Sequence, residues 1–402
     1  MRVTRVREGA SVEVPGGRRV ECRVAFDDGT ESGLWFERSG PEPVAVPGDV
    51  VLAALLPGAL AVREDLVIDG AVSSALLATS RERVLPTLVR FHPGYDAIEV
   101  RATETRDDAT LPPSGPGVAL FYSGGLDSSH ALARNRERVT DLVFVHGLDL
   151  GMRWKDVRQA VLRDVKATAH ELDLGLVEVS TRIRTTLYRA IQERARAQSN
   201  ERVRFILEWS LGCLLAGLGQ LLSDRSRSVI VAGSWDDSYR MATGSHPDLE
   251  PAFSTPRLHV ELDGVGVSRM DKALELAEHA PEWLPRLRVC QARPHRPYNC
   301  GRCPKCLRLR MELRVAGIAP ELQPFDAALD DRTLRRSFVN VDGYFWPDIL
   351  RWAELRGEPE TARTVEIMME RRFHLGREIT RFFERRRHPG ALHLRRKSRP
   401  AT

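Results

Sequence analysis

Two stretches of the chain carry residue types that can do chemistry. The first is Tyr122-Ser123-Gly124-Gly125-Leu126-Asp127-Ser128-Ser129, which follows the apolar run 118–121 and leads into a helical pattern. Paired glycines let a backbone turn tightly and come close to a ligand. The unpaired N–H groups at the start of the following helix then form an anion site. Ser123 and Ser128 add hydroxyl donors, and Asp127 can hold Mg²⁺ beside phosphates. The Gly-Lys-Ser/Thr ending of a Walker loop is missing. The second stretch runs from Cys290 to Cys300-Gly301-Arg302-Cys303-Pro304-Lys305-Cys306. Four thiolates satisfy tetrahedral Zn²⁺ and leave no open position, which predicts a structural zinc. An iron–sulfur cluster uses the same kind of ligand set and stays open as the alternative. Pro304 is placed to open a helix after the knuckle.

The order Ser-Gly-Gly-x-Asp-Ser resembles the phosphate loop of the ATP pyrophosphatase (PP-loop) superfamily. The resemblance implies cleavage of ATP between its α- and β-phosphates, with a nucleotide site formed by Tyr122, Ser123, Gly124, Gly125, Leu126, Asp127 and Ser128. It also implies that the base lies against the next strand end, at His146-Gly147, and that Lys272 of Ser268-Arg269-Met270-Asp271-Lys272 holds phosphate. Ser123, Asp127, Ser128 and Lys272 are then the implied catalytic set. Within the superfamily, Cys290 followed by Cys-Gly-x-Cys-x-x-Cys is similar to the 7-cyano-7-deazaguanine synthase family. That family converts 7-carboxy-7-deazaguanine to an amide and then a nitrile, using ATP and ammonia. The likeness spans about residues 117–318. It implies substrate contacts from Asp237, Pro247 and Asp248; the last two stand in His246-Pro247-Asp248-Leu249-Glu250, where the family has Tyr-Pro-Asp-Cys-Arg. The function implied is an AMP-forming, ATP-dependent synthetase that adenylates a small-molecule carboxylate and passes it to a nitrogen nucleophile. Segments beyond the compact synthase imply a specialised relative, such as those of anti-phage systems. An RNA-thiolating enzyme and a non-catalytic nucleotide-binding module stay open as alternatives.

The elements that must position these residues are legible as alternation. Apolar runs at 118–121, 142–145, 176–179 and 229–232 are separated by helical patterns at 154–172 and 202–222. This predicts an α/β fold, a parallel sheet with helices on both faces, and ligands beyond the carboxyl ends of the strands. Residues 1–110 read as a separate mixed α/β domain with strand candidates at 20–26, 34–36, 65–69 and 98–102. The turn-formers from Arg106 to Gly117 mark its boundary with an ATP-binding domain at 117–318. Residues 319–402 read as a helical extension, with helices at 338–352 and 363–383 and with Tyr344, Phe345 and Trp346 set for packing. Cys22 and Cys213 read as small buried apolar residues.

Composition bounds the function classes. The 402 residues predict two or three units, and six cysteines, four of them clustered, exclude a secreted disulfide scaffold. The start of the chain lacks the apolar core of a signal peptide. The longest apolar run, Val50 to Val62, is too short to span a bilayer and reads as a buried helix. The expectation is a cytoplasmic protein with reduced thiols and no membrane partner. Against 60 Lys+Arg stand 55 Asp+Glu, a net charge of +5, but residues 371–402 alone carry +9 and the rest −4. That basic tail can neutralise phosphates of a nucleic-acid acceptor, dock on an acidic protein face, or stay solvated. Homodimerisation is left open. Only five of the basic residues are lysine, Lys272 and Lys305 among them.

Overall fold

The computed structural model describes residues 1–12, 14, 16–199, 209–234, 245–290, 299–325, 331–336 and 345–370. The first half of the chain gives β1 (Arg2–Ala10), β2 (Arg18–Ala25), β3 (Glu31–Arg38), α1 (Pro47–Ala61), β4 (Leu66–Ser73), α2 (Ser74–Thr79), α3 (Leu85–Phe91) and β5 (Val100–Arg106). The second gives β6 (Gly117–Phe121), α4 (Leu126–Arg134), β7 (Asp141–His146), α5 (Lys155–Glu171), β8 (Gly175–Thr181), α6 (Leu187–Ser199), α7 (Leu211–Gln220), β9 (Ser226–Ala232), β10 (His259–Asp263), α8 (Arg269–His279) and α9 (Pro304–Val315). After these come α10 (Asp331–Arg336), α11 (Phe345–Leu355) and a helix over 359–370.

All ten strands belong to one mostly parallel sheet, in the order β10-β9-β6-β7-β8-β3-β2-β1-β4-β5. Each of the four predicted apolar strands is present, and the four pairings of the β8-β7-β6-β9-β10 half are all parallel. Its order is 3-2-1-4-5 from first strand to last, compatible with a Rossmann-like fold, and it reverses direction between β6 and β9. A crevice therefore opens beyond the carboxyl ends of those two strands, because their connections leave to opposite sides. Side chains of β6 alternate as the pleat demands: Ala119 and Phe121 enter one core, Val118 and Leu120 the other.

The sheet does not stop at the predicted boundary near residue 110. Strand β3 pairs antiparallel with β8, through Phe36–Thr181, Glu37–Ser180 and Arg38–Val179. One hydrophobic core runs under both halves, from Val20 and Leu52 to Val177 and Val229. Helix α1 is buried along nearly its whole length, as the apolar run predicted, and Tyr188 of α6 donates its hydroxyl to Ala54 O at 2.7 Å. Buried Arg38 crosses the seam and donates from Nε to Leu221 O at 2.7 Å. The turn-forming stretch thus connects two halves of one sheet. Strands β1 and β10 carry too many charges to stand out in the sequence, yet β1 pairs with both β2 and β4. No described helix is long and apolar enough to cross a membrane.

One buried carboxyl in the first half has a readable pH signature. Asp49 of α1 accepts from Ser73 N at 2.8 Å, and Ser73 Oγ in turn donates to Asp108. Burial, reinforced by the Asp108 charge, pushes Asp49 up to about 8 against the Ser73 hydrogen bond and Arg257. The folded chain therefore keeps a proton that the unfolded chain releases near pH 4, so stability falls as pH rises from about 4 to about 8. The Asp49→Asn variant is expected to lack this decline. Urea melts at about pH 5 and about pH 8.5 test it, since equal pH slopes in the two proteins would refute the assignment.

Candidate active site

Strand β6 delivers the glycine loop to the switch point. Tyr122 N donates to Val143 O at 2.9 Å, extending the sheet by one residue before the chain turns. Gly124 then adopts φ +73°, a conformation that disfavours side chains, and a Cβ built there meets nothing within 4 Å. The loop is braced from within. Ser123 N donates to Ser128 Oγ at 3.3 Å, and Ser128 Oγ donates to Gly125 O at 3.1 Å. From outside, Arg288 N donates to Gly124 O at 2.8 Å. No side chain caps α4 at Gly125, so its first-turn amides are left for water or a ligand. Gly124→Ala is expected to cost about 1 kcal/mol of stability through its left-handed φ. Its methyl group also enters the open space over the loop, so anion affinity should fall by on the order of tenfold, read by titration with pyrophosphate.

Asp127 lies in the first turn of α4 and organises the floor of the crevice. Its Oδ2 accepts from Arg269 Nη1 at 2.6 Å and from Ser234 Oγ at 3.1 Å, just past the end of β9. Its Oδ1 is buried with no hydrogen-bond donor among the described residues; the Lys272 ammonium is 3.6 Å away. Burial alone would raise this carboxyl, but Arg269, Lys272 and Arg308 hold it down at about 2. Ser268 caps α8 by accepting from Asp271 N at 3.1 Å, and the i, i+3 spacing puts Arg269 and Lys272 on one helix face. Packing between His130 of α4 and Glu275 of α8, 2.7 Å apart, keeps that face against the loop.

A second carboxylate balances the cations. Arg269 grips Glu312 of α9 with two bonds of 3.0 and 3.3 Å while holding Asp127 with its third nitrogen. Burial opposes the Arg269 charge, but Asp127 and Glu312 more than offset it and hold its pKa above the usual arginine value. Arg308 lies 3.6 Å from Glu312 and stacks on Phe345 at 3.9 Å. Trp346 is buried among Met270, Leu307 and Met311. The predicted packing of Phe345 and Trp346 is therefore against the back of this site, while Tyr344 lies outside the described residues.

The four cysteines come together as the spacing predicted. Their sulfur atoms all lie within 4.8 Å of one another, and Cys300 Sγ and Cys306 Sγ are 3.9 Å apart. A tetrahedral zinc with bonds of about 2.3 Å needs sulfur separations of about 3.8 Å, so the set could hold a metal such as zinc. Cys303 N donates to Cys300 Sγ at 3.3 Å, and Pro304 opens α9 immediately afterwards. Asn299 ties the two arms of the site. Its Oδ1 accepts from Val289 N and Cys290 N at 2.9 and 3.1 Å, and its Nδ2 donates to Leu287 O and Pro324 O at 2.7 and 3.0 Å.

Other predicted residues stand elsewhere or are already engaged. Lys272 is 1% exposed and donates to Gly233 O at 2.6 Å, so its charge reaches the crevice only through Asp127 and the local field. His146 uses both ring nitrogens: Nδ1 accepts from Arg158 at 2.9 Å and Nε2 donates to Glu178 at 3.0 Å. Gly147 has φ +89° and a Cβ would lie 2.0 Å from Thr181 O, which only glycine tolerates. Pro247 and Asp248 are exposed on the α3 side, where Asp248 pairs with Arg90 at 2.7 Å and His246 meets Phe91 edge-on. No described contact joins either of them to the glycine loop. Asp237 and the tail at 371–402 lie outside the described residues. Arg269, Arg308 and Glu312 had no motif to mark them; the signal was only their helical spacing, Arg269 three residues before Lys272, and Arg308 and Glu312 three and seven after Lys305. Cys213 is fully buried and burial pushes its thiol far up, leaving it inert. Compared with known proteins, the chain matches no family model, no curated protein and no solved structure.

Proposed function

We propose that the chain is an AMP-forming, ATP-dependent synthetase of the PP-loop type, acting on a small-molecule carboxylate. One observation carries the reading. A buried carboxylate with one undonated oxygen, Asp127 Oδ1, stands at an uncapped helix N-terminus at the switch point of a parallel sheet, ringed by Arg269, Lys272 and Arg308. Amides of the loop 123–128 would take the β- and γ-phosphates, and Asp127 Oδ1 is the atom that would hold Mg²⁺ there. The cation would supply charge neutralisation as pyrophosphate departs. The surrounding arginines are preorganised by Glu312 and Asp127, so they need not reorient as charge develops. A substrate carboxylate oxygen attacks the α-phosphorus, pyrophosphate leaves, and a nitrogen nucleophile displaces AMP from the acyl adenylate. The buried, inert Cys213 speaks against an RNA-thiolating role, since it is the spare cysteine of this half.

The test follows AMP and pyrophosphate from the full chain with ATP, Mg²⁺ and candidate carboxylates, 7-carboxy-7-deazaguanine first. Substrate-dependent AMP supports the reading. ADP in place of AMP refutes the reaction class, and AMP formed with other carboxylates but not with that one refutes the deazaguanine substrate.

A further inference from the structure

We propose that Lys305, the lysine inside the cysteine knuckle, is the cation that touches the departing pyrophosphate. The inference rests on the nucleotide reading above and assigns one contact within it. Lys272 on α8 and Lys305 on α9 stand on the two helices that share Arg269, the partner of Asp127, and they are disposed in opposite ways. Lys272 is buried, with one ammonium N–H given to Gly233 O at 2.6 Å and Asp127 Oδ1 3.6 Å away, so it is turned away from solvent. Lys305 is exposed to solvent, and no hydrogen bond or ion pair within the described residues holds its ammonium. Arg308 follows it by three residues and Glu312 by seven along α9, so the three share one helix face, and Glu312 and Asp127 are both held by Arg269. Lys305 is thus the exposed, N-terminal end of the helix face that carries the charges around Asp127.

The elements define where that face leads. Asp149 follows β7, Asp127 opens α4 after β6, and Arg308 lies one turn along α9 from Lys305. The face that begins at Lys305 thus leads to Asp127, beside which the uncapped amides of α4 are also available. Its backbone is fixed on both sides by Cys303 and Cys306, and Pro304 restricts the chain just before it. The stem stays flexible while its base is held. A compact ammonium with three donors on such a stem can follow a phosphate as it moves away, which a bidentate arginine locked to Glu312 cannot. When the substrate oxygen bonds to the α-phosphorus, the bond to the bridging oxygen breaks and its electron pair leaves with pyrophosphate. Lys305 meets the charge that gathers there.

Calorimetric titration of the full chain with ATP, pyrophosphate and AMP tests the assignment, using wild type, Lys305→Gln, Lys305→Met and Lys305→Arg, each checked for metal content. Lys305→Gln is expected to weaken pyrophosphate and ATP by on the order of tenfold while AMP changes by less than about twofold, with Lys305→Arg retaining most of the affinity. Unchanged pyrophosphate affinity in a metal-replete Gln or Met variant overturns the proposal and leaves the nucleotide reading standing. Equal loss for AMP also overturns it. Metal loss in both the Gln and Met variants makes the lysine a structural part of the knuckle and overturns it too. A wild-type chain that binds neither ATP nor pyrophosphate refutes the nucleotide reading, and the lysine assignment with it.

Discussion

Asp127→Asn is expected to lower substrate-dependent AMP release by about a hundredfold to a thousandfold, the size of effect seen when a preorganised electrostatic group is removed. The substitution keeps the shape of the side chain and removes only its charge. Arg269 and Lys272 then face a neutral amide across 2.6 and 3.6 Å, with Arg269 still held by Glu312. Breaking a buried pair from one side costs about 3–5 kcal/mol, and the retained Glu312 puts this case at about the lower figure. The pH dependence has a definite sign. The folded pKa of about 2 lies below the ordinary carboxylate value, so the stabilisation is present above pH 4 or so and is lost as pH falls towards about 2. The Asn variant is expected to lack that acid limb in thermal melts. Near-wild-type AMP release from a folded Asn variant would remove Asp127 from the proposed chemistry.

Removing the metal, or the Cys306 thiol, is expected to have the largest effect on the fold. Metal at a four-cysteine site contributes on the order of 10 kcal/mol to folding in small domains. Cys306 is fully buried in the first turn of α9, and the same helix carries Arg308 and Glu312, the latter gripping the Arg269 that holds Asp127. Cys306→Ser, or chelation of the wild-type chain, is therefore expected to lower the melting temperature and abolish pyrophosphate binding together. Metal analysis should find about one zinc per chain in the wild type and none in the variant. Iron in the purified protein would replace zinc with a cluster. A metal-free chain that still binds pyrophosphate normally would show that the knuckle does not position α9.

The local motifs were the most legible part of the sequence. A glycine pair between an apolar strand and a helix has few alternatives, because Gly124 occupies a backbone region that other residues avoid. The cysteine spacing likewise fixed its own cluster: Cys303 and Cys306 flank the first turn of α9, within reach of Cys300 one turn of chain earlier. The apolar strands β6, β7 and β9 announced themselves because burial on both faces removes alternation and leaves continuous apolar runs. Strands β1 and β10 stayed hidden for the converse reason. They are rich in Arg, Glu and Asp, and their place comes from pairing with neighbours.

Whatever depended on distance in the chain was decided by the tertiary structure. Composition placed a break near residue 110, but the free edge of β3 met the free edge of β8 and merged two halves into one sheet. Hydrogen bonding between edges is indifferent to sequence, so no motif could foretell it. The same holds for the charges around Asp127. The sequence by itself determined a glycine loop, a carboxylate beside it, a four-thiol site and two lysines worth notice. Only the packing of α8 and α9 decided that Arg269 spans Asp127 and Glu312, 185 residues apart in sequence, and that Lys272 is buried while Lys305 is exposed. Side-chain type limits what a residue can do, but packing decides which of two identical ammonium groups meets solvent.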